Sequence, residues 1–318
     1  MQTRTLGCSD LKVSVIGLGT MSWKDCRYGV TVPPDAMPDK AGTQEVVRAA
    51  LESGINLFDT AEGYGRGMAE ELLGLALQEL KARDQAVIVT KVGPLFSEEQ
   101  IDERTCNLTA THIRVRCEQQ LRRLKTDYID LYLAHWPDPR TPIEETASVM
   151  NELKREGKIR WFGVSNFSND LLGAALKHVP VAVNQLPYSM IDRQIEADRR
   201  PFCLAHKVGI MAYSPLGKGM LTGKYTADHL PPADDYRHQR PHFAKENLAK
   251  HLALAQRIRE TAQELGVTPT QLVLAWTVAQ PGITVTIPGA RTLEQVRDNA
   301  GGGKLTLTPE ILARFAPA

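Results

Sequence analysis

The chain has 318 residues, of which 42% are hydrophobic and 24% charged, with 19 prolines, a usage ordinary for globular proteins and outside the disordered and fibrous classes. Its formal charge of +1 gives no excess of positive charge to gather nucleic acid or an anionic membrane, so the expected partners are small, neutral or weakly charged molecules. Length alone would suggest two domains, but α/β barrels routinely occupy well over 200 residues as one. With no internal repeat, linker or low-complexity tract, a single domain over residues 1–318 is expected. The five cysteines, Cys8, Cys26, Cys106, Cys117 and Cys203, are odd in number and never form a C-x2-C pair, which argues for free thiols in a reducing compartment and against a metal site. Residues 1–7 carry no apolar leader, and no run reaches the ~18 apolar residues of a membrane span, so a cytoplasmic protein is expected.

In chain order, the first feature is a hairpin: Arg4-Thr5-Leu6 and Leu11-Lys12-Val13 flank Ser9-Asp10, which supply turn chemistry. Beyond it, short β-branched runs at residues 13–18, 56–59, 86–90, 129–134, 160–164, 182–185, 209–212 and 284–287 alternate with helical patterns at 43–53, 68–80, 110–124, 143–156, 193–206, 270–279 and 292–300. Alternation of this kind specifies a parallel sheet of βα units. Thr141-Pro142-Ile143-Glu144 reads as a capping box with Pro at the first helical position, and Thr268-Pro269 opens a helix in the same way. Polar or reactive residues stand just past strand after strand: Thr20, Asp59, Lys91, His135, Ser165-Asn166, Gln185, Ser214 and Gly289-Ala290-Arg291. In a (β/α)8 TIM barrel those ends converge on one face, whereas an open sheet would spread them along an edge. The eight runs therefore predict a barrel, with the hairpin plugging its N-terminal end and long loops on its catalytic face. Among these, residues 226–246, with Pro231, Pro232 and Pro241, have no period and predict a mobile lid.

Four of the strand-end residues make a mechanism. Asp59 and Tyr64 lie five residues apart on the loop Asp59-Thr60-Ala61-Glu62-Gly63-Tyr64-Gly65. Lys91 ends a buried run, where an ammonium must find a partner, and Asp59 is the nearest in kind. A phenol titrates near pH 10, but an adjacent ammonium stabilises phenolate and makes it a usable proton donor at neutral pH. His135, followed by Trp136-Pro137, would hydrogen-bond a carbonyl oxygen and stabilise the charge that develops there.

The nucleotide motifs are incomplete. Gly17-Leu18-Gly19 has Ser22 where a dinucleotide fingerprint needs its third glycine. The stretch Gly217 to Lys224 has one residue too many between Gly217 and Gly223 for a P-loop, and Tyr225 stands where a Mg²⁺-binding hydroxyl belongs. What remains is a Gly-rich loop after the seventh strand and a Gly-Ala-Arg turn opening the last βα helix, a frequent phosphate position in a barrel.

Taken in order, Gly17-Leu18-Gly19-Thr20-Met21, Phe58-Asp59-Thr60-Ala61 with Tyr64-Gly65, Leu124 to His135-Trp136-Pro137, Gly157-Lys158-Ile159-Arg160 through Gly163-Val164-Ser165-Asn166-Phe167, Asn184-Gln185 and Tyr213-Ser214-Pro215-Leu216 resemble the aldo-keto reductase superfamily over nearly the whole chain. The resemblance implies an NADPH-dependent reductase of aldehydes, ketones or sugar-like carbonyls, with Asp59, Tyr64, Lys91 and His135 as catalytic tetrad and Tyr64 as general acid. It implies that Thr20, Met21 and Asp59 border the cofactor and that Ser165, Asn166 and Gln185 hold the nicotinamide carboxamide. Tyr213 would stack on the ring, the 214–219 loop with Ser214, Leu216, Gly217, Lys218 and Gly219 would wrap the pyrophosphate, and Gly289, Arg291, Gln295 and Asn299 would meet the adenosine end. Trp23, Trp136, Tyr64 and His135 would line the substrate pocket. Ile287-Pro288-Gly289-Ala290-Arg291 looks like the bacterial and plant members related to potassium-channel β subunits, and Asp10, where relatives often carry Gly, is expected to affect only the hairpin turn. Two alternatives stand beside the reductase. One is a nucleotide-binding regulatory subunit on the same barrel, against which His135 argues because the channel subunits commonly place Asn there; the other is a polyol or sugar-alcohol dehydrogenase.

Overall fold

The computed structural model describes residues 1–23, 37–96, 101–232 and 235–316, so that Cys26 lies outside the described residues. The chain opens on β1 (Thr3–Thr5) and β2 (Lys12–Ser14), an antiparallel hairpin with Arg4 opposite Val13. Then come β3 (Leu18–Gly19), α1 (Lys40–Glu52), β4 (Leu57–Asp59), α2 (Met68–Glu79) and β5 (Val87–Val92). A second hairpin follows, of β6 (Pro94–Phe96) and β7 (Ile101–Cys106), and leads into α3 (Ala110–Leu124) and β8 (Ile129–Ala134). The remainder is α4 (Ile143–Arg155), β9 (Ile159–Ser165), α5 (Asn169–Leu176), β10 (Val183–Pro187), α6 (Arg199–Ala205), β11 (Gly209–Tyr213), α7 (Lys245–Glu264), α8 (Pro269–Ala279), β12 (Ile283–Ile287), α9 (Leu293–Gly302) and α10 (Pro309–Ala313).

Eight strands pair in parallel in the order β3-β4-β5-β8-β9-β10-β11-β12. Bridges from Ile16 to Thr286 and from Gly19 to Gly289 bring the last strand back to the first and close the (β/α)8 barrel. Strands covered on both faces need continuous apolar runs, and β8 and β12 are buried at every residue. One core lies inside the barrel, where Leu57, Val89, Leu131, Leu133, Val183, Met211 and Val285 meet Leu6, Leu11 and Val13 of the hairpin, which is the expected plug. The other lies between strands and helices.

Several expectations are corrected. The run at 13–18 is not one strand: Asn56 accepts from the Ser14 N–H (2.7 Å) and donates to the Lys12 carbonyl (2.9 Å), while the Ser14 hydroxyl donates to the Ile16 carbonyl. These side-chain bonds turn the chain at Ser14, leaving its first part to the plug. The Thr141 capping box does not form, because the Thr141 hydroxyl donates to Asp138 (2.7 Å) and Pro142 stands at the N-cap with no side-chain bond. The Thr268 cap does form, accepting from the Gln271 N–H with Pro269 at the first helical position. The helix foreseen at 193–206 shrinks to Arg199–Ala205, since Pro201 has no N–H for the Ala197 carbonyl and its ring would clash with it. Asp10 does more than turn the hairpin: its carboxylate accepts from the Trp161 indole N–H (2.6 Å) and from Arg160 (3.2 Å), tying the plug to β9. In the segment at 226–246, the described residues form a Thr226–His229 bridge and a short turn at Tyr236–Gln239 before α7 begins. Among the described residues, no helix is long and apolar enough to cross a membrane, and no cluster of His, Cys, Asp and Glu could hold a metal ion.

Candidate active site

At the C-terminal ends of the strands, β4 terminates in Asp59, β5 carries Lys91 next to its end and His135 follows β8 directly. After Asp59 the chain folds back on itself, with the Thr60 N–H on the Val89 carbonyl (2.8 Å) and the Tyr64 N–H on Ala61 (3.0 Å). Lys91 Nζ, wholly buried, spends its donors on Asp59 Oδ1 at 2.7 Å, the Thr60 carbonyl at 2.8 Å and the Tyr64 hydroxyl at 3.2 Å. Gln185, on β10, donates to the second Asp59 oxygen at 2.7 Å. Burial pushes the Asp59 carboxyl up and the Lys91 ammonium down, and each partner opposes the other's shift. His135 approaches the Tyr64 ring edge-on, centroids 6.1 Å apart. Desolvation, reinforced by the charge on Lys91, holds its imidazole well below its usual range, so it is neutral at pH 7. The four tetrad residues of the sequence reading are thus gathered around one point.

Beside them runs a chain of neutral polar groups. Asn166, in a left-handed backbone conformation (φ 62°), donates to Ser165 Oγ (3.0 Å) and to the His135 carbonyl (3.3 Å), and accepts from the Tyr213 hydroxyl (3.0 Å). Ser165 donates to the Gln185 carbonyl at 3.0 Å. Thr20 is buried, and its hydroxyl has no hydrogen-bond partner among the described residues. Met21 packs on Ala61, Tyr64 and Ala69. Trp136 stacks beside His135, centroids 6.3 Å apart. Trp23 departs from the pocket-wall expectation: it is fully buried, and its indole N–H donates to the Ala290 carbonyl (2.8 Å), so it holds the β12 end to the β3 end.

Farther out, the loop after β11 takes a left-handed path at Ser214, Gly217, Lys218 and Gly219. At Gly219 (φ 93°) a Cβ would stand 3.1 Å from Lys224 Cε, so the glycine lets Lys224 fold back over the turn. Leu216 packs into the core between helices and strands. Across from it α9 begins, capped by Thr292 on the Gln295 N–H (3.2 Å), while the Gln295 side chain accepts from the Arg291 N–H (2.8 Å) and Asn299 donates to the Gly289 carbonyl (3.3 Å). Gln295 thus reaches back past the Thr292 cap and ties down the Arg291 backbone ahead of the helix start. Lys224 and Arg237 are absent from the sequence reading. Burial lowers the Lys224 ammonium, and the neighbouring charges of Arg237 and Arg291 lower it further against a single acid, Asp235. The signal available in sequence was the Gly223-Lys224-Tyr225 tail, which a test for a P-loop discards.

A model of the aldo/keto reductase family matches residues 15–317. Aldo-keto reductase YhdN of Bacillus subtilis is 36% identical over 92% of this chain and 85% of its own length, and the NADH-specific methylglyoxal reductase of Escherichia coli is 33% identical over 97% and 95%. Among solved structures, the glycerol dehydrogenase AKR11B4 of Gluconobacter oxydans superposes with a TM-score of 0.86 at 33% identity, covering 99% of this chain and 96% of that one. An aldo/keto reductase of Klebsiella pneumoniae in complex with NADP and acetate gives 0.74 at 31% identity, with 99% and 94% covered. The barrel, the gathered strand-end residues and these matches agree: the chain belongs to the aldo/keto reductase family, whose members are oxidoreductases acting on small carbonyl compounds.

Proposed function

We propose that the chain is an NADPH-dependent reductase of small aldehydes and ketones, with Tyr64 as proton donor. The observation that carries this reading is the 3.2 Å contact between the buried Lys91 ammonium and the Tyr64 hydroxyl, with the buried His135 ring edge-on beside it. The ammonium stabilises negative charge on the phenol oxygen as Tyr64 gives its proton to the alcohol being formed. Asp59 compensates Lys91, and Gln185 keeps Asp59 from turning away. His135, neutral, offers an N–H to the carbonyl oxygen and fixes it within reach of the phenol.

The residues present fit a nicotinamide dinucleotide. Neutral amide and hydroxyl groups of Ser165, Asn166 and Gln185, with the Thr20 hydroxyl, stand next to the tetrad, where a carboxamide can exchange hydrogen bonds with them. Tyr213 offers a ring beside Asn166, and Lys218, Lys224, Arg237 and Arg291 offer cations for phosphate, Arg237 while paired with Asp235. When bound, the reduced nicotinamide supplies the hydride. The excess of cations at the outer end supports NADPH over NADH, and the Klebsiella relative that binds NADP agrees with it. The NADH-specific E. coli relative makes this preference a property to be measured on this chain. The likeness to a glycerol dehydrogenase supports a second reading, oxidation of a small polyol by the same tetrad running in reverse. The free-thiol reading of the cysteines supports a cytoplasmic location, and the lack of an internal repeat, linker or low-complexity tract supports a single domain. Methylglyoxal, glyceraldehyde and aromatic aldehydes assayed with NADPH and with NADH, and glycerol with NADP⁺, test the reading. We expect aldehyde-dependent NADPH loss; turnover only with NADH, or only from glycerol, would overturn it.

A further inference from the structure

Between Asp59 and Tyr64 stands a side chain that the mechanism above does not use. Glu62 is fully buried although its side chain is ionisable, and its hydrogen-bond partners are groups outside the tetrad. One carboxylate oxygen accepts from the Gly93 N–H (3.1 Å), and the other pairs with Arg116 Nε of α3. Gly93 lies two residues beyond Lys91. Its backbone is left-handed (φ 137°), and a Cβ there would stand 2.3 Å from Cys106 Sγ, so only glycine can present that N–H at the end of β5.

Arg116 is the first of a stripe. Arg116, Gln120 and Arg123 recur at i, i+4 and i+7, on one face of α3. Gln120 donates to the Lys91 carbonyl (3.0 Å), to Thr90 Oγ1 (3.1 Å) and to Glu70 Oε1 (2.7 Å), and Arg123 donates to Glu70 Oε2 (2.7 Å). The inward face of a barrel helix is normally apolar, and a buried carboxylate costs several kcal/mol in desolvation that its partners must offset. Here donors of the stripe reach the loop that carries Tyr64, the helix behind it and the strand that carries Lys91, and the Gln120 oxygen accepts from the Tyr132 hydroxyl of β8 (2.5 Å).

We infer that Glu62 is a positioning residue for Tyr64: its carboxylate clips the Tyr64 loop to the end of the Lys91 strand, with Arg116 as the anchor on α3. The inference rests on the reading of Tyr64 as proton donor. Loss of the clip frees the loop to drift, and a displacement of about 1 Å at a catalytic group can cost as much as 10²-fold in rate.

Glu62→Gln keeps the shape and an acceptor for Gly93 but removes the charge that holds Arg116. With NADPH and methylglyoxal, or glyceraldehyde if it is turned over faster, kcat should fall about 10- to 100-fold, while the NADPH dissociation constant, read by intrinsic fluorescence, stays within about twofold. The losses should not multiply: Glu62→Gln/Tyr64→Phe should be about as slow as Tyr64→Phe alone. Should Glu62→Gln fail to fold, Arg116→Gln breaks the same contact from its partly exposed side and carries the same expectations. If Tyr64→Phe turns over normally, the proton-donor reading fails. If Tyr64→Phe is slow but the clip variant matches wild type, or if the two losses multiply, the positioning role is overturned and the donor stands.

Discussion

The two ends of the proposed cofactor groove are built differently. At the reacting end the charges are already answered: Lys91 has three acceptors, Asp59 has two donors, and Ser165, Asn166 and Tyr213 satisfy one another. At the proposed phosphate end burial lowers the Lys224 ammonium and the charges of Arg237 and Arg291 lower it further, while Asp235, the ion-pair partner of Arg237 at 2.5 Å, opposes them. The difference teaches where binding energy is stored. The reacting end is organised for chemistry before any ligand arrives, as catalysis by fixed dipoles requires. The proposed phosphate end gathers three cations around one acid, and a bound anion would offset their repulsion.

That contrast can be broken most severely at Lys91. Lys91→Met should lower kcat by roughly 10²–10⁴, the range of a positioned proton donor. Because it leaves the Asp59 carboxylate buried with Gln185 as its remaining side-chain donor, it should also cost about 3 kcal/mol of stability, seen as an earlier urea midpoint. A variant as active and as stable as wild type would show the reacting end is not pre-organised around this ammonium. At the other end, Arg291→Ala should weaken NADPH binding by about 1.5–3 kcal/mol, the range for hydrogen bonds to charged groups, and leave NADH nearly unchanged. Fluorescence titration of both cofactors decides it; equal losses would make Arg291 a support for the helix start and not a reader of phosphate.

The smallest expected effect concerns pH. Burial raises the Glu62 carboxyl to about 7, with Arg116 of α3 and the Gly93 N–H of β5 pulling it down and Glu70 of α2 pushing it up; Cys106 of β7, itself pushed up to about 12, stays neutral beside it. The folded chain therefore holds this proton more tightly than the unfolded chain. The resulting stability is present at low pH and is lost as the pH rises through about 7. The clip to Arg116 runs the other way, complete above that pH and released below it. From pH 6 to 8, wild-type kcat should rise relative to Glu62→Gln while its Tm, relative to the same variant, falls by about 2 °C. Parallel curves for the two proteins would sever Glu62 from either effect.

How far the sequence carried the reading follows the same division. The tetrad was legible because each member sits at the end of its own strand or on the loop after it, and barrel closure then converts four separate positions into one place. The plug was legible because Leu6, Leu11 and Val13 alternate around a turn. The bend at Ser14 was not, because it is made by Asn56, forty-two positions away, and a local pattern of β-branched residues contains no trace of that bond. Lys224 and Arg237 were hidden in the same way, as ordinary basic residues until folding of the loops brings them beside Arg291, which the turn opening the last βα helix had already marked. The polar stripe of α3 escaped for another reason: Arg116, Gln120 and Arg123 on a helix read as a solvated face, and only the two buried glutamates opposite show that this face turns inward.

The most direct test of the account is Tyr64→Phe measured two ways on one preparation, by turnover of an aldehyde with NADPH and by titration of NADPH alone. Phenylalanine preserves the ring that packs on Ala61 and Ala69 and removes the hydroxyl on Lys91. The expected result is a kcat lower by roughly 10²–10⁴ with an NADPH dissociation constant near that of wild type. A variant that keeps more than about a tenth of wild-type kcat, a loss too small for a positioned acid, with chemistry shown to be rate-limiting, would contradict the assignment of Tyr64 as the proton donor.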